Sequence, residues 1–474
     1  MSSNPRWLRS CRLLAFGCTV LSGCTVGPNY RGAPVVASQS LQAPGFKRAP
    51  QQAVSSSPAA AKWWRELEDP QLTRLIETAL AGSPDIHAAE ARLREARAGL
   101  RLQQRSALPQ ASTSASYLHV HLPSTSLGLG SVSLYNAGFD ATWEADLFGG
   151  TRRAIEAASA QAAAVDAQLA DTHVQLSAEV AQAYVDLRDE QQRVALVRES
   201  VEIEQQMLTL TQERRAQGVA SDIDVERIRT QVESTRSQLI PLEAQITESL
   251  DQLAGLSGKE PGALDAELAA TAPLPQLPQV IPVGDPAALL RQRPDIRAAE
   301  WQLVSQNAQI GERVADWFPK LTLLGDLGVS AASPAQLSSS NNLMWLGAPL
   351  LQWDVLDFGR TKARVDQARA GLDEARAKYE TTVLGALRDA NVALSRYGHQ
   401  RENVTSLRNV EASATRTAVL TQQRYRAGAS SALDWLDAER TRFAAQQNRI
   451  AADAELLRDF VALQKSLGMG WQRP

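Results

Sequence analysis

The stretch PDIHAAE at residues 84–90 returns as PDIRAAE at residues 294–300, an offset of 210 residues. The same offset joins Pro109 and Pro319, Trp143 and Trp353, Phe148 and Phe358, Gly149 and Gly359, Gly218 and Gly428, Asp224 and Asp434, and Gly258 and Gly468. A repeat of this length, kept in register through its loops, indicates a tandem duplication of one structural unit. Such a duplication is more typical of a symmetric structural assembly than of an enzyme whose chemistry takes place in one pocket.

The first residues carry the features of an exported lipoprotein. Arg6, Arg9 and Arg12 precede the apolar run Leu13 to Leu21, and Leu21-Ser22-Gly23-Cys24 forms a lipobox. We expect residues 1–23 to be a signal peptide and Cys24 to be the lipidated N-terminus. A plain signal peptide or an uncleaved anchor are the alternatives, although the apolar run is far short of the ~20 residues that a spanning helix needs. By resemblance to bacterial lipoproteins, the presence of Thr25 and not aspartate after the cysteine favours localisation in the outer membrane over retention in the inner membrane.

The composition excludes some classes of partner. The formal charge of −3 becomes −6 once the signal with its three arginines is removed, so nothing indicates a nucleic-acid surface. The mature chain would keep one cysteine, already lipidated, so it could form no internal disulfide. Charged residues are spread evenly and aromatic residues make up 5% of the chain. This composition is typical of elongated helices.

Each repeat is predicted to contain the same elements in the same order. We expect a lipidated linker and equatorial segment at 24–70, repeat one at 71–258, a Pro-rich linker at 259–292, repeat two at 293–468 and a tail at 469–474. Within the repeats we expect a helix (about 85–107 and 295–317), a β-hairpin (about 110–147 and 320–357), a long helix (151–217 and 361–427) and a return helix (222–257 and 433–467).

The long helix is the strongest of these predictions. Neither proline nor glycine occurs between Thr151 and Gln217, which predicts a helix on the order of 100 Å long. Apolar and small residues recur along it in steps of three and four. A period of 3.5 indicates left-handed supercoiling against neighbouring helices.

The hairpin segments have the pattern of membrane strands. They alternate partly between polar and apolar residues, are rich in aromatic residues, and reach the ~9–11 residues that a tilted membrane strand needs. A soluble hairpin with core aromatics is the alternative. Four strands cannot close a barrel and open edges are not tolerated in lipid, so the chain must oligomerise as a dimer of eight or a trimer of twelve strands. Side chains fill the interior of an eight-stranded barrel, so an open channel favours the twelve-stranded one.

Four motifs resemble one known family. They are LSGC followed by TVGPNY (residues 21–30), SPDI (83–86), WEADLFGG (143–150) and RYRAG (424–428). These residues resemble the TolC-like outer membrane factors of the OprM/NodT lipoprotein branch. The resemblance implies a mostly α fold with a transmembrane β portion, which as a homotrimer forms a twelve-stranded outer-membrane barrel continuous with a twelve-helix periplasmic barrel. It also implies a periplasmic adaptor and an inner-membrane pump of the RND type as partners.

The resemblance also implies a periplasmic gate just past the helix-breaking glycines. Its residues are Tyr425, Leu433, Asp434, Asp437 and Arg440 in repeat two, and Asp224 in repeat one. Some family members carry an arginine where this chain has Ser430. The alternative is an ordinary solvated helix face, with Asp437 and Arg440 as an i,i+3 pair. In a threefold assembly each carboxylate would become a ring of three, able to hold a pore shut or to select cations.

No catalytic constellation appears, so the sequence predicts neither an enzyme nor a cofactor. His119 and His121 would share one strand face, but no thiolate or carboxylate has the spacing to complete a metal site. We therefore expect a passive exit duct in the outer membrane, with most of its mass in the periplasm. It would carry substrates from the pump and adaptor to the cell exterior. The alternatives are a periplasmic coiled-coil scaffold or adaptor without a pore, or a duct for metal-ion or type I protein export.

Overall fold

A computed structural model describes residues 25–50, 53–121 and 131–471. Cys24 and the predicted signal peptide therefore lie outside the described residues. The described chain forms two compact units. The first contains the N-terminal residues up to Pro34 together with Arg92–Asp166 and Ala298–Glu380, and the second contains Val35–Ala91, Ala167–Arg297 and the chain from Thr381 onward.

The first unit contains a four-stranded antiparallel sheet built from both hairpins. The strands are β2 (Gln110–His121), β3 (Ser131–Ala145), β5 (Lys320–Ala331) and β6 (Leu343–Gln352), paired in that order. Strands β3 and β5 join the two repeats, and their register places Gly138 opposite Gly328. A Cβ at Gly138 would lie 2.9 Å from the Gly328 Cα. Only glycine therefore permits this close approach.

Side chains alternate between two chemically different faces of the sheet. On β3, Tyr135, Phe139 and Trp143 share one face, and Asn136 and Asp140 point to the other. The aromatic face continues on the next strand, because Phe139 is paired with Leu327 and Trp143 with Leu323. Along β3 and β5 one face of the sheet is therefore apolar, whereas the other carries polar groups such as Asn136 and Asp140.

The N-terminal residues Thr25–Tyr30 are fixed to the helices of the first unit. The buried Arg153 donates hydrogen bonds to the carbonyl of Val26 (3.1 Å) and to Oδ1 of Asn29 (2.6 Å). Gly27 adopts φ +86°, and a Cβ there would clash with the Cα of Gly311. The segment predicted to be a linker is thus a packed part of the unit.

The helices repeat as the elements of the duplication. They are α2 (Pro70–Gly82), α3 (Pro84–Ser106), α4 (Gly150–Ala216), α5 (Asp222–Ser237) and α6 (Leu239–Leu256) in repeat one, and α9 (Pro294–Ala315), α10 (Arg360–Arg426) and α11 (Ala432–Ser466) in repeat two. Helix α8 (Pro286–Gln292) lies at the end of the predicted Pro-rich linker and corresponds to the end of α2. The short helix α1 (Ser38–Leu41) precedes them, and the short helix α7 (Asp265–Leu268) lies between α6 and α8. Helices α4 and α10 each contain 67 residues.

The first return helix differs from the continuous helix predicted at 222–257. It is interrupted at Gln238, between α5 and α6. Pro241 lies in the first turn of α6, where its missing N–H removes no helical hydrogen bond. Because Pro241 has no N–H, it cannot extend the backbone hydrogen bonds of α5, and the chain starts a new helix. Repeat two has Ala451 at this position, and α11 is unbroken.

The second unit also contains structure within the predicted Pro-rich linker. Val54–Ser55 (β1) pairs in parallel with Ile281–Pro282 (β4). The buried Arg188 donates hydrogen bonds to the carbonyl of Ala270 and to Oε1 of Gln71. These bonds fasten the chain between the repeats to α4 and α2, so the linker is ordered rather than irregular.

Candidate functional site

The two long helices end in the same turn. Gly218 (φ +77°) follows α4 and Gly428 (φ +76°) follows α10. In the first turn the N–H of Val219 donates to the carbonyl of Arg214, and in the second the N–H of Ala429 donates to the carbonyl of Arg424. This is the Schellman motif, which requires a left-handed residue that glycine adopts readily. We call the two turns, each with the adjoining ends of its two helices, tip one (residues 214–230) and tip two (residues 424–440).

Each return helix begins with the same capping box. The N–H of Asp224 donates to Oγ of Ser221 (3.2 Å), and the N–H of Ser221 donates to Oδ2 of Asp224 (3.2 Å). Ser431 and Asp434 make the matching pair at 2.9 and 3.1 Å. These hydrogen bonds lower the pKa of both aspartates. Two of the three predicted gate aspartates, Asp224 and Asp434, thus have a structural role at helix N-termini.

Tyr425 is a core residue of tip two. Its side chain is 1% exposed and packs against Trp435, with ring centroids 5.4 Å apart. The guanidinium of Arg214 lies 3.9 Å from the centre of the Tyr425 ring and donates a hydrogen bond to the Tyr425 carbonyl. The apolar cluster around this pair consists of Met207, Leu208, Val225, Ile228, Val232 and Leu436. Tyr425 therefore joins α10 to the helices of both repeats.

Two open grooves flank the start of α11. The first groove, about 830 Å³, lies between α5 and α11 and is lined by Gln231, Asp437 and Arg440 among others. The second groove, about 960 Å³, lies between α10 and α11 and is lined by Asp434, Asp437 and Ser430 among others. Leu433 and Asp437 line both grooves and form the ridge between them. Asp437 and Arg440 are exposed, and among the described residues no ion pair joins them.

The structure thus divides the predicted gate residues into four groups. Leu433, Asp437 and Arg440 lie on the grooves. Asp434 lies on the second groove but is occupied by its capping box, and Tyr425 is buried behind the grooves. Asp224 contacts neither groove, and its carboxylate caps α5.

One charged residue near this site was not predicted. Glu204 lies on α4 and is 2% exposed. It occupies the stripe Val197, Ser200, Glu204, Met207 and Thr211, whose members are all buried and step by three and four. A charge at a core position of a helical repeat is the sequence signal that could have identified it.

The remaining predicted features give no second site. His119 Nδ1 lies 2.9 Å from Oγ of Ser133. Within residues 25–50, 53–121 and 131–471, no group of three or more potential metal ligands is assembled. None of the described helices is both long and apolar enough to cross a membrane.

The two-part helical repeat with a shared sheet is the fold of a TolC-like outer membrane channel. The outer-membrane channel OprN superimposes with a TM-score of 0.89 at 34% identity, covering 95% of this chain and 100% of that chain. The open-state structure of the MtrE outer membrane channel from Neisseria gonorrhoeae gives 0.82 at 26% identity, covering 94% and 98%. The predicted fold class is confirmed.

The sequence model of the outer membrane efflux protein family matches residues 75–259 and 286–469, one match on each repeat. The chain therefore belongs to this family, and the predicted resemblance is confirmed. The antibiotic efflux pump outer membrane protein ArpC of Pseudomonas putida is 32% identical over 97% of this chain and 95% of its own length. Nodulation protein T of Rhizobium leguminosarum bv. trifolii is 29% identical over 95% of this chain and 96% of its own.

Proposed function

We propose that this chain is the passive outer-membrane exit duct of a tripartite efflux system. The observation that carries the proposal is the sheet of the first unit, in a chain of the outer membrane efflux protein family. Its edge strands β2 and β6 each have one partner among the described residues. Unpaired strand edges are not tolerated in lipid. Assembly of several copies would close the sheet into a barrel.

The exposed side chains of the sheet suit a membrane. Strand β6 exposes Leu343, Trp345 and Leu351 on one face, and the indole of Trp345 is 76% exposed. A water-soluble hairpin would bury such residues, whereas lipid accepts them. This feature argues against the alternative of a periplasmic scaffold without a pore.

A homotrimer is the assembly that fits the family. Three copies of a four-stranded sheet supply twelve strands, which leave a channel wider than the filled interior of an eight-stranded barrel. The helices would then form the periplasmic part of the duct. Cys24, acylated at the mature N-terminus, would add a lipid anchor beside Thr25–Tyr30.

The partners of the duct would be a periplasmic adaptor and an inner-membrane pump of the RND type. No nucleotide-binding or catalytic motif occurs in the sequence, so the pump must supply the energy of transport. Tip one exposes two large apolar side chains, Val219 (72%) and Ile223 (65%). Exposed apolar groups of this kind favour protein contacts, and we expect the adaptor to bind there.

Single-channel recording tests this function and the gate together. The purified protein should conduct ions across planar bilayers. Asp437→Asn should raise the conductance and lower the preference for cations, because it removes one carboxylate per chain from the ridge between the grooves. Glu213→Gln is the matched control, since Glu213 is an exposed carboxylate of α4 outside both grooves.

A protein that conducts no ions, and that is water-soluble once its acyl chains are removed, would refute the duct. A conducting protein in which Asp437→Asn and Glu213→Gln behave alike would leave the duct standing. It would remove Asp437 from the gate.

A further inference from the structure

Glu204 is a buried carboxyl group behind the first groove. It projects from α4 against α5, and it is 2% exposed. Repeat two has Ala414 at the corresponding position, which is buried as well. The position is therefore buried in both repeats, and only repeat one places an acid there.

The two oxygens of Glu204 have different surroundings. Oε1 accepts hydrogen bonds from Oγ1 of Thr235 (3.0 Å) and from Nε2 of Gln231 (3.2 Å), both on α5. Oε2 is buried and has no hydrogen-bond partner among the described residues. Buried polar atoms are almost always paired in folded proteins. Oε2 is thus an acceptor to which no donor is bound in this arrangement.

Arg440 is the cation available to Glu204. The charged groups that act on Glu204 are Arg440 and Glu439 of α11, whereas the groups facing it from α5 are neutral. Glu439 is already bound by Nε1 of Trp435 and by Nε of Arg442. Arg440 forms no hydrogen bond or ion pair with any residue that the structure describes, and it lines the first groove together with Gln231. Its guanidinium carries donors of the kind that Oε2 lacks.

We propose that Glu204 is a protonation-dependent partner of Arg440, which withdraws the guanidinium from the groove when the carboxyl is ionised and leaves it there when the carboxyl is neutral. The proposal rests on the proposed function, because it makes Arg440 a movable part of the gate. Burial raises the pKa of Glu204, while the hydrogen bonds from Thr235 and Gln231 and the charge of Arg440 act against that rise. The neutral form of Glu204 is thus easier to reach than that of an exposed glutamate.

The direction of the pH effect follows from this assignment. The arrangement with Arg440 in the groove holds a proton on Glu204, so acid stabilises it and alkali destabilises it. Any closure that depends on Arg440 should weaken as the pH rises through the raised pKa of Glu204. The conductance should therefore increase with pH, and each chain that takes up one proton changes the equilibrium by at most about tenfold per pH unit.

The test compares variants by single-channel recording between pH 5 and pH 9. Glu204→Gln keeps the size of the side chain and the acceptor for Thr235, and it should hold the channel at the low conductance of acid at every pH. Arg440→Gln should do the opposite and hold it at the high conductance, because it leaves no guanidinium in the groove. Arg440→Lys should restore part of the pH dependence, since it restores a cation.

The matched control is Glu190→Gln on the same helix. Burial raises the pKa of Glu190 to about 7, and its carboxylate accepts a hydrogen bond from Ser249 away from the tips. Its pH profile should follow the wild type. A Glu204→Gln channel with the wild-type pH profile would overturn the proposal, as would an equal loss of pH dependence in Glu190→Gln. Absence of conductance in the wild type would instead refute the duct.

Discussion

The two tips share their backbone but differ in the side chains that the backbone carries. Both place a glycine with φ near +77° after the long helix and a Ser-x-x-Asp capping box at the return helix. Beyond these positions the repeats diverge. Arg215, Arg227 and Thr230 of tip one correspond to Tyr425, Asp437 and Arg440 of tip two.

The difference separates folding residues from candidate functional residues. Residues that both tips keep form the turn and the cap, which both tips need. The side chains on the first groove come mainly from unmatched positions, such as Asp437 and Arg440 on α11, and the buried Glu204 behind the groove is unmatched as well. In a duplicated chain, a residue present in one repeat alone is therefore a better candidate for a gate than a residue present in both.

Tyr425→Ala should give the largest effect. The variant leaves a cavity among Trp435, Arg214 and the apolar cluster of tip two, and truncation of a buried aromatic residue costs about 3–5 kcal/mol. The amides of α11 next to the tip should lose protection against hydrogen exchange. Arg215→Ala, the matched change in tip one, should cost less than ~1 kcal/mol, because Arg215 is exposed and only pairs with Asp222 at 2.7 Å. Equal effects would mean that the tips do not differ in their cores.

Ala451→Pro should follow, with a loss of about 3 kcal/mol or more. Residue 451 lies inside α11, where proline removes a hydrogen bond to the carbonyl of Gln447 and clashes with it. Pro241→Ala, the reverse change in repeat one, should alter stability by less than ~1 kcal/mol, because Pro241 lies in the first turn of α6. Circular dichroism during thermal unfolding measures both. A tolerated proline at 451 would show that α11 need not be continuous.

The fold was largely readable from the sequence because its signals are local and repeated. The stretch without proline and glycine up to Gln217 and the glycines that follow it predicted both long helices, although Gly371, Gly385 and Gly398 lie inside α10. The break at Gln238 was missed, because the 3.6-residue pattern continues across it while the proline that causes it lies three residues later. The order in the N-terminal and inter-repeat segments depends on distant partners of Arg153 and Arg188. Composition does not reveal such partners.

The candidate site was less readable, because its geometry depends on helix packing. Asp224 and Asp434 were predicted as gate residues, although the Ser-x-x-Asp pattern that ends at each of them is a sequence signature of a helix cap. Asp437 and Arg440 were predicted by resemblance, and their role remains a proposal. Glu204 lies in the middle of a 67-residue helix. The acids of this helix look alike in the sequence. Glu204 differs from the solvated ones only because it lies on the side of α4 that is buried against the neighbouring helices.

The smallest effects, and the most direct test of the comparison, concern the caps. Ser221→Ala and Ser431→Ala should each destabilise their return helix by about 1 kcal/mol, because each removes the acceptor for the N–H of the aspartate three residues later.

The capping bonds lower the pKa of Asp224 and Asp434 below the ordinary value of 3.8. Their contribution to stability is thus present above 3.8 and is lost as the pH falls through the lowered values. Hydrogen exchange at both tips, corrected for intrinsic rates, should therefore show protection declining in acid in the wild type and less so in the variants. Unequal losses of stability at the two tips, or an altered conductance in Ser431→Ala alone, would indicate that Asp434 acts in the gate. Equal losses without a change in conductance would assign both aspartates to the caps, leaving Asp437 and Arg440 as the charges that the gate can use.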